Sequence, residues 1–179
     1  EMVSSFLDHA EVGRQFVVIN PGAGWDSKLW PARRYGLLAQ QLGQNHAIRS
    51  IVAWAGEREK SWTEEIVEHS GGHASAAPDT TLPQLAALLR AATLFVGSDT
   101  GPLHLAAAVG TACVGMYGPT RPADCGPYGP QHISLQSYYQ DGSSRERRRA
   151  LNDAMRAFSV EQAVEACGKV LEHLEESAA

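Results

Sequence analysis

Lysine is scarce in this 179-residue chain: Lys28, Lys60 and Lys169 are the only three. With 15 Lys+Arg against 20 Asp+Glu the formal charge is −5, so the basic stripe that a nucleic-acid groove needs is missing and no nucleic-acid partner is expected. No apolar run approaches the roughly 20 residues of a membrane-crossing helix. Cysteine is equally sparse. Cys113, Cys125 and Cys167 stand far apart without CxxC spacing, which excludes a zinc ribbon or a disulfide frame and points to a reducing compartment. There is no HExxH, no GxSxG and no Asp-x-Asp clamp for a divalent cation, so neither a metal nor a cofactor is expected. What is present is ordinary: 44% hydrophobic and 20% charged residues, enough for one domain with a real core. The opening Glu1-Met2-Val3 suggests a piece of a longer protein.

Residues 1–14 read as a short polar or helical lead-in. Phe16-Val17-Val18-Ile19 is a β-branched run ending at Asn20-Pro21-Gly22, hence a buried strand followed by a loop. Further strands are expected at 48–54, 93–97 and 111–117, with weak ones around 74–77 and 132–135. Helices are expected at 31–42, 59–70, 84–90, 101–109 and 160–174. The stretch 139–150 reads as polar and basic. Short apolar runs without period-2 alternation, separated by helices, mean βαβ units with a sheet covered on both faces. The fold class is therefore α/β, with a doubly wound, mostly parallel sheet. Ligands of such sheets sit outside the carboxyl ends of the strands, which places the chemistry in loops 20–31, 54–59, 97–104 and 116–129.

Four constellations fall in those loops. Gly22-Ala23-Gly24 lets backbone amides come close to a ligand, and Lys28 follows at the mouth of the next helix. The functional reading is a phosphate cradle with Lys28 as point charge; the bland one is an exposed lysine beside a tight turn. Neither a Walker loop nor a GxGxxG is present, because Ser27 stands where the third glycine belongs. Ser98-Asp99-Thr100-Gly101-Pro102-Leu103-His104 runs from strand into helix, and free amides plus the helix dipole make an anion site there. Plain capping by Asp99 or Thr100, and a core role for His104, are the structural alternatives. Tyr117-Gly118-Pro119-Thr120-Arg121-Pro122, continuing to Cys125-Gly126-Pro127-Tyr128-Gly129, is stiff enough to wall a base or simply to connect. Trp54-Ala55-Gly56-Glu57-Arg58-Glu59 supplies carboxylates at the place where such sheets hold ribose hydroxyls, or at which a helix start favours an acid. The run Arg145-Arg147-Arg148-Arg149 reads as a solvated face rather than a contact for an anionic acceptor or membrane.

Together the motifs Pro21-Gly22-Ala23-Gly24-Trp25-Asp26-Ser27-Lys28-Leu29-Trp30-Pro31, Ser98 to Gly110, and Tyr117-Gly118-Pro119-Thr120 with Gly126-Pro127-Tyr128-Gly129 resemble the C-terminal half of the family 9 glycosyltransferases, the ADP-heptose:lipopolysaccharide heptosyltransferases and their relatives. The similarity spans about residues 15–132, and Met155 to Leu171 resembles the closing helix. It implies a GT-B architecture of two Rossmann-like domains. Residues 15–179 would be the domain that binds the nucleotide-sugar donor, ADP-heptose first, with a closing helix over about 160–175. The lipid-linked saccharide acceptor and the catalytic base would belong to an N-terminal domain outside this chain, so no catalytic residue is assigned here.

Carried over by position, Lys28, Thr100, Gly101 and His104 would hold the diphosphate, with Gly22, Ala23 and Gly24 beside it. Asp99 would be polar support, and Glu59, with Glu57 as fallback, would hold the ribose. Met116 and the Gly118–Thr120 turn would flank the base. The implied reaction is inverting, metal-independent transfer in the cytoplasm, with a peripheral place at the inner face of the inner membrane left open; this piece would bind the donor without transferring it. A non-catalytic nucleotide-binding or scaffold module, an epimerase-type relative and a member using another sugar stay open. Lys28 is expected to be exposed, and Thr100 to cap its helix.

Overall fold

Phe16–Asn20 is buried on both faces and forms β1 of the computed structural model, which describes Phe6 and residues 12–178. The lead-in over 1–14 therefore lies mostly outside the described residues. Around β1 stand β2 (Arg49–Val52), β3 (Ala74–Ala76), β4 (Leu94–Ser98), β5 (Ala112–Met116) and β6 (Ile133–Leu135). All pairs are parallel, and the order is β3-β2-β1-β4-β5-β6. The chain winds outward from β1 on one side and from β4 on the other. The order reverses between those two neighbours, and this switch point is where doubly wound sheets leave a crevice at the strands' carboxyl ends.

The helices are α1 (Ala32–His46), α2 (Gly56–His69), α3 (Leu82–Ala91), α4 (Gly101–Ala108), α5 (Pro122–Cys125), α6 (Ser144–Arg149), α7 (Asp153–Arg156) and α8 (Val160–Ala178), with a 3-10 turn at Asp26–Lys28. Side chains alternate across the sheet, as strand geometry demands. Val17, Ile19, Val96 and Val114 face Trp30, Tyr35, Leu38 and Cys167 beneath α1 and α8. Phe16, Val18, Phe95 and Cys113 face Leu88, Leu89 and Leu103 beneath α3 and α4. Burying one Phe95-sized side chain contributes roughly 1.5–3 kcal/mol. Both layers thus fix the sheet rigidly under its loops.

Several boundaries differ from expectation, for local reasons. The second helix begins at Gly56 and not Glu59, because Glu59 reaches back and its Oε2 accepts from the Ala55 N–H at 2.8 Å, which closes the entry; the chain turns into it through Gly56 at φ 72, a value open to glycine. α3 begins at Leu82, where the Gln84 side chain accepts from the Thr81 N–H at 2.8 Å in a capping box. The polar stretch 139–150 contains α6. Its start is closed reciprocally: Ser143 Oγ accepts from the Glu146 N–H at 3.3 Å, and Glu146 accepts from the Ser143 N–H at 2.8 Å. No helix among the described residues is long and apolar enough to cross a membrane.

Candidate functional site

The loops after β1 and β4 leave adjacent strands and are tied to each other. Ser98 Oγ donates to the Lys28 carbonyl at 2.6 Å. Lys28 Nζ donates to Asp99 Oδ2 at 2.7 Å and to the Asp99 carbonyl at 3.0 Å. His104 Nε2 stands 3.2 Å from Asp99 Oδ1, and the Cys125 thiol donates to Oδ2 at 3.4 Å. Burial of Asp99 by itself favours the neutral acid. The hydrogen bond and charge of Lys28, together with the Thr120 and His104 side chains, outweigh that and hold the carboxyl below its ordinary range.

Lys28 is not the exposed lysine that was expected. It is 12% exposed, against 8% for Asp99; the partner that buries it stands 71 positions away in sequence. Nor does Thr100 cap α4. It occupies the N-cap position, but its hydroxyl donates to the Ser98 carbonyl at 3.3 Å and no side chain caps the helix. The α4 entry therefore faces outward with no side-chain acceptor.

Beside this cluster lies a cleft of about 370 Å³. Its walls come from Asn20 and Gly22–Gly24, from Ala53–Ala55 with Glu59, from Thr80, Leu82 and Leu85, and from Thr100–Pro102. Glu59 is the polar group on the β2 side. Its Oε2 accepts from the Ala55 N–H at 2.8 Å, so it closes the α2 entry and lines the cleft at once. A Cβ built on Gly22 would meet Glu59 Oε1 at 2.0 Å. Only glycine lets the carboxylate lie against that backbone. Burial raises the Glu59 pKa, with the Ala55 N–H opposing.

Gly22, Ala23, Gly24, Glu59, Thr100 and Gly101 thus share one cleft, and Lys28, Asp99 and His104 form one cluster next to it. Met116 and the Gly118–Thr120 turn stand apart from the cleft wall. Met116 is 1% exposed and packs in the core beneath α1 and α8, because it ends β5 on the inward-facing register. Gly118 is buried against Ala154 and Met155, and the turn is held by Gln136, which donates to the Thr120 carbonyl at 2.7 Å. Glu57 is exposed and outside the cleft.

The sequence reading missed Thr80, Leu82, Leu85, Ala53 and Pro102 as cleft residues. The signal was there: 77–81 is also a strand-to-helix loop, and such loops open at the carboxyl edge. The weakness of β3 hid it. Trp54 is pinned by its indole N–H, which donates to the Ala77 carbonyl at 2.8 Å, and so joins that loop to the one after β2. Among the described residues no group of three His, Cys, Asp or Glu is placed to hold a metal ion. A second cleft, about 750 Å³ and lined by Gln15, Gln44, Thr93 and Leu171 among others, opens at the opposite, amino edge of the strands.

Comparison with known proteins agrees with this fold. The family model for glycosyltransferase family 9 (heptosyltransferase) matches residues 3–155. Lipopolysaccharide heptosyltransferase 3 of Escherichia coli is 31% identical over 116 residues, which are 64% of this chain and 34% of that protein. A glycosyl transferase family 9 structure from Veillonella parvula superposes with a TM-score of 0.83 at 22% identity, covering 96% of this chain and 50% of that one. The E. coli heptosyltransferase WaaC with ADP superposes at 0.73 and 22% identity, covering 94% and 48%. At such identities the structural likeness speaks for the fold. The chain spans about a third of the curated relative's length and about half of each solved chain.

Proposed function

Because the chain belongs to glycosyltransferase family 9, we propose that its residues 15–179 form the donor-binding half of a GT-B transferase that moves heptose from ADP-heptose to a lipopolysaccharide core acceptor. The observation that carries this reading is the pairing, across the β1/β4 switch point, of a fixed lysine with an uncapped helix entry at the mouth of a partly apolar cleft. A diphosphate fits between Lys28 and the Thr100–Gly101 entry. Lys28 spends two of its three donors on Asp99, which leaves one for a phosphate oxygen. Glu59 faces the ribose, and Ala53, Leu82, Leu85 and Pro102 offer the base an apolar slot. The structure of WaaC with ADP supports ADP as the nucleotide.

The chemistry assigned is inverting transfer. An acceptor hydroxyl attacks the anomeric carbon while the nucleoside diphosphate leaves with its bonding electron pair. The charge growing on the diphosphate meets Lys28, already oriented by Asp99, with His104 and the α4 amides beside it. A preorganised donor of this kind is worth about 2.7–4 kcal/mol. The base that takes the hydroxyl proton, and the lipid-linked acceptor, are assigned to a partner domain outside this chain. The reaction is assigned to the cytoplasm, with the lipid-linked acceptor at the inner face of the inner membrane.

Calorimetry on this chain is the test. ADP is expected to bind, to the same extent with and without excess EDTA, and no sugar is transferred. A tenfold weaker affinity in EDTA, about 1.4 kcal/mol, would show a metal clamp, and transfer by this chain alone would put the base inside it. No ADP binding at all would favour a scaffold module that kept only the fold.

A further inference from the structure

Four arginines crowd into α6, and two of them, Arg147 and Arg148, reach different neighbours. α6 packs on the 3-10 turn that carries Lys28. The Arg148 guanidinium carbon lies 4.9 Å from the Trp25 ring centre, and Lys28 Nζ lies 4.5 Å from the same ring. Arg147 turns the other way. Its Nε donates to the Gly142 carbonyl at 3.1 Å, and one terminal nitrogen donates to the Pro119 carbonyl. Its guanidinium lies 5.7 Å from the Tyr139 ring, which also carries Arg121 at 4.2 Å. The Gln140 N–H donates to the Gly118 carbonyl at 3.1 Å. One short segment therefore grips both the turn after β5 and the loop after β1.

We infer that segment 136–150 is a positioning strap for the diphosphate end of the site, in which Arg148 acts on Lys28 through Trp25. The inference rests on the reading of Lys28 as a diphosphate ligand. A lysine side chain loses much rotamer freedom when it is held in one place. Asp99 holds the Lys28 ammonium from one direction, and the Trp25 ring supplies the other boundary. Trp25 sits in a loop and is only partly buried, so it needs something to lean on. Arg148, anchored on a capped helix, provides that support. Two cations near one ring are tolerable because Asp99 neutralises Lys28 at 2.7 Å and Arg148 is exposed to solvent.

The test is a double-mutant cycle. ADP and adenosine affinities are measured for wild type, Arg148→Ala, Trp25→Ala and the double variant, with amide hydrogen exchange followed at Lys28 and Leu29 in the unliganded protein. Those two amides close the turn, donating to the Trp25 and Asp26 carbonyls. Arg148→Ala should weaken ADP about two- to fivefold, the size of one exposed cation–π contact. Adenosine affinity and melting temperature should not change, and exchange at the two amides should speed up by a similar factor. In the Trp25→Ala background, removing Arg148 should cost nothing more. An undiminished Arg148 effect in that background would mean direct contact with the phosphates and would overturn the strap, as would unchanged ADP affinity and exchange in Arg148→Ala. If wild type binds no ADP, the donor-site reading fails by itself. Exchange then decides the strap alone: faster exchange supports it and unchanged exchange overturns it.

Discussion

Lys28→Ala should weaken ADP about ten- to a hundredfold and leave adenosine within twofold of wild type. The loss is one charge-assisted hydrogen bond, roughly 1.5–3 kcal/mol, and adenosine has no phosphate to feel it. The same change should also lower the melting temperature of the unliganded protein. Asp99 would be left 8% exposed with its main counter-charge gone. Breaking a buried pair from one side costs roughly 3 kcal/mol at the low end of its range, or about 6–12 °C for a chain of this size.

The pH dependence separates this from ordinary loss of packing. In wild type the Asp99 pKa is depressed, so its stabilising contribution is present above the unfolded carboxylate range and is lost as pH falls through the folded value. In Lys28→Ala burial pushes the Asp99 pKa up from its wild-type value, with only Thr120 and His104 still opposing it, so the stability that Asp99 contributes near neutral pH is reduced. The gap between the two proteins should be widest near neutrality and should close on acidification. Thermal melts across that span check it. A variant as stable as wild type at neutral pH would contradict the pairing, and equal ADP affinity would contradict the phosphate role.

Glu59→Ala should cost ADP and adenosine the same factor, about ten- to a hundredfold, because the lost partner belongs to the ribose they share. Oε2 is occupied by the Ala55 N–H, so Oε1, held against Gly22, is the acceptor left for a hydroxyl. Glu59→Gln, which keeps an acceptor without the charge, should fall between. Burial raises the Glu59 pKa, so both affinities should weaken on acidification at a higher pH than an ordinary glutamate would dictate. Glu57→Ala, on the exposed first turn of α2, should change neither. Calorimetry with the two ligands at several pH values decides it, and a loss confined to ADP would move Glu59 to the phosphate end.

The contrast between Lys28 and Met116 shows which parts of the site could be read in the sequence. β1 and β4 were legible because Phe16-Val17-Val18-Ile19 and Leu94-Phe95-Val96 are apolar without alternation, as central parallel strands are. Their loops then had to share an edge. The exposure of Lys28 was misjudged because its partner, Asp99, is remote in sequence, and a lysine alone reads as surface. The burial of Met116 in the core was not legible, because the residue ending a strand points either into the core or over the edge, and register settles which. α6 was legible in principle: Ser143 and Glu146 have capping-box spacing. The four arginines nearby read as a solvated face, and Arg145, Arg148 and Arg149 are exposed. Their contacts with Trp25, Tyr139 and Pro119 depend on tertiary packing that no local pattern encodes.

The most direct measurement of the central claim is an amide chemical-shift map of this chain titrated with ADP. The donor-binding reading predicts that the shifts concentrate in residues 22–28, 53–59, 80–85 and 100–104, at the carboxyl edge of β1, β2, β3 and β4. It also predicts that adenosine reproduces the changes near Glu59 and Leu82 but not those at Lys28 and Gly101. Shifts gathered instead around 44–48 and 171–175, at the amino-edge cleft, or no saturable shifts at all, would contradict it.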